Sequence, residues 1–408
     1  MEDDGYRRAL ALLRSCSSPS GFLASPVKQD NYQRVWARDG GIVGLAALMT
    51  GDEGLIDTFR RTLSTLARYQ GRHGEIPSNV DPRADRISYG GTAGRVDADL
   101  WFVVGCGQYW RATGDDGFLD AITPHLERVQ FLLGAWEMNN RGLLHVPQTG
   151  DWADEYLQHG YVLYDQLLYL QAQSELCRIH QALHGSADHP LEEKRARLHH
   201  LIRANYWFPE RDAEPPPDAY HEILWEKGRE AACFCHGRYW LPFFSPSGYG
   251  YRFDAFANLL ASLLGIADPT QQGSVDAYLD GILPEELPLA PAFHPVITPR
   301  DEEWEELQMT FSYSFKNQPH EYHNGGLWPM LSGFHAADLA HRGRTEQALR
   351  VTEAIDRANA LPMAGASWSF PEYVHGRQLT AGGNQHQAWS AAGSLMAHHA
   401  LEGRPVFR

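Results

Sequence analysis

Apolar residues recur every third or fourth position through most of the chain, which is the spacing of an amphipathic helix. In the segment 52–69, for example, Leu55, Phe59, Leu63 and Leu66 would share one helical face. The pattern predicts about twelve helices, whereas strand-like alternation is scarce. The other predicted helices are 6–13, 41–49, 100–113, 118–136, 161–183, 191–206, 253–266, 274–283, 327–342, 345–358 and 387–401.

A short motif repeats at two of the predicted helix junctions. Residues 50–57 read TGDEGLID and residues 113–120 read TGDDGFLD. In each copy the first glycine can end one helix in the left-handed conformation, and the following aspartate can cap the next helix. A repeat of about 63 residues that holds two helices is the unit of a helical-hairpin array.

About six such helix pairs would nearly fill the chain, with the N-terminal helix closing against the last one. We therefore predict an all-α fold, an (α/α)6 toroid of about twelve helices in two concentric rings. Residues 1–408 would form a single domain. The pattern leaves one alternative open, an open helical solenoid.

The charge balance and the cysteines exclude several classes of protein. With 35 Lys and Arg against 51 Asp and Glu, the formal net charge is −16, which disfavours nucleic-acid and membrane-surface partners. No stretch reaches the roughly 18 consecutive apolar residues of a membrane span, and the acidic N-terminus does not resemble a signal peptide. Five sparse cysteines are typical of reduced thiols, so we expect a cytoplasmic protein.

Aromatic content and long inter-helix segments indicate a carbohydrate ligand. Aromatic residues make up 12% of the chain, and 20 histidines accompany them. Aromatic faces stack on sugar rings while histidines and carboxylates bind hydroxyls, although a large aromatic core would give the same composition. The long segments, where binding and catalysis are expected, are 74–94, 145–160, 231–250, 288–326 and 364–384.

Residues 150–156, GDWADEY, place three carboxylates around a tryptophan just before a predicted helix. Glycoside hydrolysis needs a protonated carboxyl at the leaving oxygen, and apolar surroundings raise a carboxyl pKa. Asp154 is the first choice for this acid and Asp151 the second. The alternative is that these acids cap the helix or lie in solvent.

Residues 368–373, WSFPEY, place Glu372 among aromatic residues and a proline. A carboxylate held in such a setting could bind and deprotonate a water molecule as a general base. The alternative is a solvated glutamate without a catalytic role.

Three further segments could bind sugar hydroxyls. The adjacent Arg38 and Asp39, next to Trp36, offer a donor fork and an acceptor to neighbouring hydroxyls. Segments 94–101 and 322–329 combine polar side chains with close-approach glycines or tryptophans, and either could equally be a buried turn. The full set of expected binding residues is Trp36, Arg38, Asp39, Tyr89, Asp97, Trp101, Asp151, Trp152, Tyr322, His323, Asn324, Trp328, Gln387 and Trp389.

Metal and cofactor motifs are weak or missing in the sequence. The run 233–236, CFCH, has no second Cys/His pair at zinc-finger spacing. The run 320–323, HEYH, lacks the i, i+4 histidines of a zinc-protease helix. No Gly-rich phosphate loop, GxSxG elbow or dinucleotide fingerprint is present, so we expect neither a metal nor a cofactor.

The ordered set of motifs resembles glycoside hydrolase family 100, the alkaline/neutral invertases, within the wider (α/α)6 glucosidases. The matching segments follow one another through most of the chain and are 32–39, 94–101, 253–260, 322–329, 370–373 and 387–393. The resemblance implies an inverting hydrolysis with Asp154 as acid and Glu372 as base, and with Arg38 and Asp39 holding the sugar ring. One departure is that the family has two arginines and a methionine after its acid, where this chain has residues 155–157, EYL.

The leading hypothesis is an inverting hydrolase of a small α-glucoside, with sucrose as the first candidate and a homo-oligomeric state possible. Glucosylglycerate, glucosylglycerol or short α-gluco-oligosaccharides are the alternative substrates. A second hypothesis is a sugar epimerase on the same toroid, which would use histidines such as His320, His323 and His386. A third is a sugar-binding protein without catalytic activity.

Overall fold

A computed structural model describes residues 4–28, 31–208, 214–310 and 313–408, and within these ranges the chain forms fourteen helices. The helices are α1 (Asp4–Cys16), α2 (Ala37–Thr50), α3 (Glu53–Arg68), α4 (Val96–Thr113), α5 (Asp116–Trp136), α6 (Leu163–His184), α7 (His189–Tyr206), α8 (Glu222–Cys235), α9 (Ala255–Leu263), α10 (Pro269–Ile282), α11 (Trp304–Met309), α12 (Pro329–His341), α13 (Thr345–Asn359) and α14 (Ala388–Leu401).

Twelve short strands accompany the helices in the same ranges, and they pair only into two- or three-stranded antiparallel sheets. The strands are β1 (Ser17–Ser18), β2 (Gly21–Phe22), β3 (Val35–Trp36), β4 (Asn79–Asp81), β5 (Arg86–Ser88), β6 (Tyr161–Val162), β7 (Phe243–Ser245), β8 (Gly248–Tyr249), β9 (Phe253–Asp254), β10 (Phe293–His294), β11 (Tyr373–Val374) and β12 (Ala381–Gly382). The sheets are β1-β2, β3-β4-β5, β6-β7-β8, β9-β10 and β11-β12.

Six helices form a closed inner ring. Helix α2 packs against α4, α4 against α6, α6 against α9, α9 against α12, α12 against α14, and α14 returns to α2. These helices are buried on all sides; in α2 every residue from Ala37 to Met49 is buried. A helix that is apolar all round has to lie in the interior, which is why these segments form the inner ring.

The helices between the inner ones bury only one face each and lie outside the ring. In α3 the buried face includes Leu55, Phe59, Leu63 and Leu66, as the apolar spacing predicts. Helix α3 packs against α2 and α4, α13 against α12 and α14, and α1 against α14. The prediction of an all-α toroid with two rings, closed by the N-terminal helix, is therefore confirmed.

The repeated motif forms the helix junctions that its residues predict. Gly51 ends α2 with φ 71°, and the Asp52 carboxylate accepts a hydrogen bond from the backbone N–H of Leu55. Gly114 ends α4 with φ 67°, and Asp115 caps α5 in the same way. Each junction turns the chain from the inner ring to the outer one.

Two helices and the small sheets differ from the sequence-based prediction. Helix α8 begins ahead of the predicted loop 231–250, and the six-residue α11 lies within 288–326. A six-residue helix is too short to show an apolar period, and two-residue strands show no alternation. Strands β3, β6 and β9 each run directly into an inner helix, so they lie at the N-terminal ends of the inner ring.

Among the described residues, no helix combines the length and the apolar character that crossing a bilayer requires. The assignment of residues 1–408 to a single domain stays a prediction.

Candidate active site

The candidate residues gather where the inner helices begin. Arg38 and Asp39 lie in the first turn of α2, Asp97 lies in the first turn of α4, and Gln387 is the residue before α14. The guanidinium of Arg38 contacts Asp97, so the starts of neighbouring inner helices are adjacent. Unbonded N–H groups and a partial positive charge at helix N-termini favour acidic and hydroxyl-bearing partners at this end of the ring.

Asp154 is held between two arginines. Its Oδ1 lies 3.1 Å from Nη2 of Arg38 and 3.2 Å from Nε of Arg95. Burial raises the pKa of the Asp154 carboxyl, but the charges of Arg95 and Arg38 outweigh it and hold the pKa below its usual value. Asp154 is therefore ionised in the free protein, and its side chain is 22% exposed.

A chain of hydrogen bonds behind Arg38 fixes its orientation. Arg38 Nε donates to Asp97 Oδ2 at 2.8 Å, and the same oxygen accepts from the Tyr164 hydroxyl at 3.2 Å. The Trp101 indole N–H donates to the Tyr164 hydroxyl at 2.7 Å. Trp101 is fully buried, so in this structure it supports Asp97 from behind.

Glu372 is held by neutral donors. The Tyr32 hydroxyl donates to Oε1 at 2.7 Å, and the backbone N–H of Asn384 donates to Oε2 at 3.0 Å. Burial raises the pKa of the Glu372 carboxyl, and the nearby ammonium of Lys316 partly counteracts it. Gly383, in the left-handed region at φ +70°, packs so closely that a Cβ there would lie 2.4 Å from Oε2.

Asp154 and Glu372 both act electrostatically on Tyr322. Burial raises the pKa of the buried Tyr322 hydroxyl, and the charges of Glu372 and then Asp154 raise it further. The two carboxyls also act on each other, because Asp154 contributes to the raised pKa of Glu372. The Lys316 ammonium lies 5.1 Å from the centroid of the Tyr322 ring. Two acids from distant segments thus share one electrostatic environment.

Asp39 faces the same two carboxyls. Burial raises its pKa to about 7, with Arg38 lowering the value and Glu372 and Asp154 raising it. A carboxyl with this pKa can both accept and donate hydrogen bonds near neutral pH. Such a group suits a sugar hydroxyl, which also does both.

His323 and two tryptophans form an aromatic wall. The His323 ring stacks on Trp328 with centroids 5.1 Å apart, and Trp152 meets it edge-on at 4.9 Å. Burial lowers the His323 pKa to about 3, so the imidazole is neutral. Neither of its ring nitrogens has a hydrogen-bond partner among the described residues. A neutral imidazole with both nitrogens available can bind hydroxyls.

Gln387 and Trp389 lie at the start of α14. Gln387 is fully buried, and its amide oxygen and nitrogen have no partner in the described part of the chain. The Trp389 indole N–H is in the same situation, and its ring lies 5.3 Å from that of Trp328. Buried polar groups are nearly always hydrogen-bonded in native proteins, so these atoms are suited to a polar ligand.

Asn324 and Trp328 are engaged in holding the loop that carries Tyr322. The Asn324 side chain binds both the N–H and the C=O of Ile297, and the Trp328 indole N–H donates to the Tyr322 carbonyl at 3.0 Å. Both are fully buried. In this structure the two side chains hold that loop in place, and contact of either with a substrate stays a prediction.

Trp36 and Tyr89 lie towards the surface. The Trp36 ring is 6.3 Å from that of Tyr32, which binds Glu372. Tyr89 is 39% exposed, and its hydroxyl donates to the Tyr69 carbonyl. Contact of Trp36 or Tyr89 with a substrate stays a prediction.

Asp151 and Trp152, which precede Asp154 in the same segment, are both fully buried. Asp151 is fully buried, its Oδ2 accepts from Gln158 at 2.8 Å, and burial followed by the charge of Asp254 raises its pKa well above the usual value. Trp152 is fully buried and stacks on Phe293. The greater exposure of Asp154 makes it the better candidate than Asp151 for contact with a leaving group.

Within the described ranges, no cluster of three or more His, Cys, Asp or Glu residues is arranged to hold a metal ion. The absence of a cofactor stays a prediction.

Sequence reasoning missed several residues that shape this site. Tyr32 and Arg95 lie in the motifs 32–39 and 94–101, but the sequence assigns them no role. Lys316 and Asn384 lie in the long segments 288–326 and 364–384. Only the tertiary structure brings them to the carboxyls, since Tyr32 and Glu372 are 340 positions apart.

Comparisons with known sequences indicate the alkaline and neutral invertases. The family model for alkaline and neutral invertase matches residues 234–404. The chain is 26% identical to the probable alkaline/neutral invertase D of Arabidopsis thaliana, over 98% of this chain and 81% of the relative. It is 25% identical to cytosolic invertase 1 of Oryza sativa subsp. japonica, over 98% of this chain and 77% of the relative.

Comparisons with solved structures show the same fold. A bacterial glucoamylase complexed with acarbose superposes with a TM-score of 0.69 at 14% identity, covering 99% of this chain and 56% of the glucoamylase. A mannosylglycerate hydrolase from Thermus thermophilus superposes with a TM-score of 0.63 at 13% identity, covering 96% of this chain and 99% of the hydrolase. At these identities the likeness concerns the fold alone.

The helical double ring and these relatives define the class: the chain is a glycoside hydrolase of the (α/α)6 type. Within that class its sequence relatives are the alkaline/neutral invertases, and the family resemblance that the ordered motifs indicate is confirmed.

Proposed function

We propose that this glycoside hydrolase cleaves a small α-glucoside with inversion at the anomeric carbon, and that sucrose is its first candidate substrate. The observation that carries the proposal is that the chain entering α2 contacts both carboxyls, since the Tyr32 hydroxyl donates to Glu372 and Arg38 pairs with Asp154. An inverting hydrolase needs two carboxyls that flank one anomeric centre, one beside the leaving oxygen and the other beside a water molecule. The printed names of the sequence relatives are invertases, which supports sucrose.

Glu372 is proposed as the general base. The Tyr32 hydroxyl and the Asn384 N–H fix its carboxylate, so a water molecule at that carboxylate can be aimed at the anomeric carbon. Glu372 takes a proton from the water while the water oxygen forms the new bond to the anomeric carbon. Base catalysis of this kind contributes roughly two to four orders of magnitude in rate.

Asp154 is proposed as the general acid. As the glycosidic bond breaks, its proton passes to the leaving oxygen, so the number of protons is conserved across the step. The arginines on either side of Asp154 favour its charged form in the free protein. Substrate binding therefore has to raise the Asp154 pKa. This would follow if sugar hydroxyls engage Arg38 and the bound sugar excludes water from the surroundings of Asp154.

Binding of the sugar ring is proposed for Arg38, Asp39 and His323, with the unpartnered amide of Gln387 as a further hydroxyl ligand. The five free cysteines and a relative named as cytosolic support a cytoplasmic location. Glucosylglycerate, glucosylglycerol and short α-gluco-oligosaccharides are the alternative substrates, since the residues after Asp154 differ from the family pattern.

The test is a panel of sucrose, glucosylglycerate, glucosylglycerol and short α-glucosides, with proton NMR of the first product formed. We expect glucose release from one or more of them as the β-anomer, and loss of roughly two to four orders of magnitude in kcat for Glu372→Gln. Glu353→Gln, an exposed glutamate on α13, is the control and should retain full activity. No release from any substrate, or an α-anomer, would contradict the proposal, and interconversion of a free sugar would favour an epimerase.

A further inference from the structure

A cavity lies beside the segment that follows Asp154 in the chain. It has a volume of about 190 Å³ and is enclosed by residues 156–159, the strands β7 and β8, and the region around α11. A single water needs only about 10–15 Å³ measured in this way, so the cavity can hold a ligand much larger than water. Neither Asp154 nor Glu372 lines it.

Five of the fourteen residues that line this cavity are phenylalanine or tyrosine. Tyr156 and Phe293 stack with centroids 4.2 Å apart and an interplanar angle of 17°, and Phe293 in turn stacks on Trp152 at 5.7 Å. Tyr249 on β8 stacks on its partner Phe244 on β7, with ring centroids 5.0 Å apart. These contacts keep the rings rigid, and rigid aromatic faces are suited to the C–H face of a sugar ring.

Three buried polar atoms on cavity-lining residues have no hydrogen-bond partner within the described chain. They are the hydroxyl oxygens of Tyr156 and Tyr249 and the side-chain oxygen of Gln158. Tyr156 is 3% exposed and Gln158 is 1% exposed. Because buried polar groups are nearly always paired, three unpaired ones around one cavity indicate a ligand that carries hydroxyls.

The arginine at the cavity is already paired, and the other charged residues that line it, Glu303 and Glu306, are acidic. Arg252 Nη2 lies 3.0 Å from Glu303 Oε1, and the Tyr251 hydroxyl donates to the same oxygen at 3.2 Å. A guanidinium already paired with a carboxylate offers little net charge to an anion. The lining therefore disfavours an anionic ligand, and a neutral sugar needs no counter-charge.

The cavity adjoins a wider groove at the surface. Phe243, Tyr249 and Tyr251 line both, and the groove measures about 450 Å³. Phe234 lies in the groove with 73% of its surface exposed and its ring 5.1 Å from that of Tyr251. An exposed aromatic ring next to the cavity mouth extends the stacking surface beyond one sugar unit.

We propose that this cavity and its groove form a second saccharide-binding site, separate from the candidate active site, for a neutral mono- or oligosaccharide. The sugar ring packs against the aromatic wall, while its hydroxyls pair with Tyr156, Tyr249 and Gln158. An apolar ligand would leave those three polar atoms unpaired at a cost in affinity. The site does not depend on which glycosidic bond the enzyme cleaves.

Calorimetry with glucose and maltotriose on full-length Glu372→Gln protein tests this proposal, because that variant removes turnover. We expect two equivalents of at least one of these sugars, and weakening of one equivalent by about threefold to tenfold in Glu372→Gln/Tyr249→Phe. The Tyr249 hydroxyl has no partner to lose among the described residues, so Tyr249→Phe should leave thermal stability unchanged. Tyr249→Phe alone should keep the wild-type kcat on the preferred substrate.

Tyr109→Phe is the matched control, since the Tyr109 hydroxyl binds Asp115 at the start of α5, away from the cavity. It should leave both sugar-binding events unchanged. A single equivalent for both sugars, no effect of Tyr249→Phe on binding, or tighter binding of the apolar probe benzene at this site would each overturn the proposal. Since the readout is binding, failure of the proposed hydrolysis would appear separately as absence of turnover in the wild-type protein.

Discussion

The Tyr32 hydroxyl donates a 2.7 Å hydrogen bond to Oε1 of Glu372, a residue 340 positions further along the chain. Tyr32 lies in the segment before the first inner helix, and Glu372 lies in the segment before the last one. Because α14 packs against α2, the closure of the inner ring brings these two segments together. The carboxylate proposed as the base is therefore oriented by the same contact that closes the fold.

Tyr32→Phe should reduce kcat by about tenfold to a hundredfold, since hydrogen bonds to charged groups contribute roughly 1.5–3 kcal/mol. The lost bond favours the ionised carboxylate, so its removal raises the pKa of Glu372 further. A base acts when ionised, and a higher pKa moves the acidic limb of the kcat profile to higher pH.

The measurement is kcat against pH on the preferred substrate. Tyr206→Phe serves as a control, because the Tyr206 hydroxyl binds the Tyr161 carbonyl in the core. That variant should lose stability without moving the profile. An unmoved acidic limb in Tyr32→Phe would mean that the hydrogen bond does not tune the base.

Lys316 should act on the same limb through its charge. Its ammonium opposes the burial that raises the pKa of Glu372, and no guanidinium or ammonium bonds directly to that carboxylate among the described residues. Lys316→Met should therefore move the acidic limb to higher pH, whereas Lys316→Arg should restore the wild-type profile.

The effect of Lys316 should weaken as salt is added, because Lys316 is exposed and its field is screened. Profiles measured at low and high ionic strength would check this. If Lys316→Met and Lys316→Arg gave the same profile at low salt, the charge would not be responsible.

Arg95 should control the opposite limb. Its Nε lies 3.2 Å from Asp154 and helps to hold the pKa of that carboxyl low. An acid acts when protonated, and protonation is lost as the pH rises through its pKa. Arg95→Met should raise the Asp154 pKa in the substrate complex and extend the alkaline limb of kcat to higher pH.

The profile of kcat against pH for Arg95→Met is compared with that of Arg83→Met, a substitution at an exposed arginine that pairs with Asp81 at the surface. The Arg83 variant should match the wild-type protein on both limbs. An alkaline limb that stays in place, or moves to lower pH, in Arg95→Met would argue against Asp154 as the acid.

The ring of helices could be predicted because its signals are local. Apolar spacing such as Leu55–Phe59–Leu63 sets one buried face, and the Gly51–Asp52 and Gly114–Asp115 junctions contain their own capping residues. Helices without such a period, like the six-residue α11, leave no comparable trace in the sequence.

The candidate site could be predicted only in part. Asp154 and Glu372 stand out because each lies in an aromatic-rich segment. The groups that set their pKa values, Arg95 and Lys316 among them, come from other segments and are positioned by tertiary contacts. The burial of Trp101 likewise follows from the packing of α4 in the inner ring, where its indole N–H binds the Tyr164 hydroxyl.

Two glycines with nearly the same backbone conformation should respond differently to an added methyl group. Gly383 has φ +70° and Gly51 has φ +71°, so alanine at either position carries a similar left-handed penalty of about 1–2 kcal/mol in unfolding free energy. Around Gly51 nothing lies within 4 Å of the added Cβ, whereas at Gly383 it would lie 2.4 Å from Oε2 of Glu372. Gly383→Ala therefore has to displace the Glu372 carboxylate, and Gly51→Ala does not.

Gly383→Ala should lose more stability than Gly51→Ala in denaturant titrations, because the added Cβ would also lie 2.6 Å from the Cβ of Glu372. Only Gly383→Ala should lose kcat, by about tenfold or more, since a displaced base no longer aims the water. Substrate KM should change little in either variant, because Arg38, Asp39 and His323 lie on other segments. Equal kcat values in the two alanine variants, measured where both are fully folded, would show that the position of the Glu372 carboxylate does not limit the reaction.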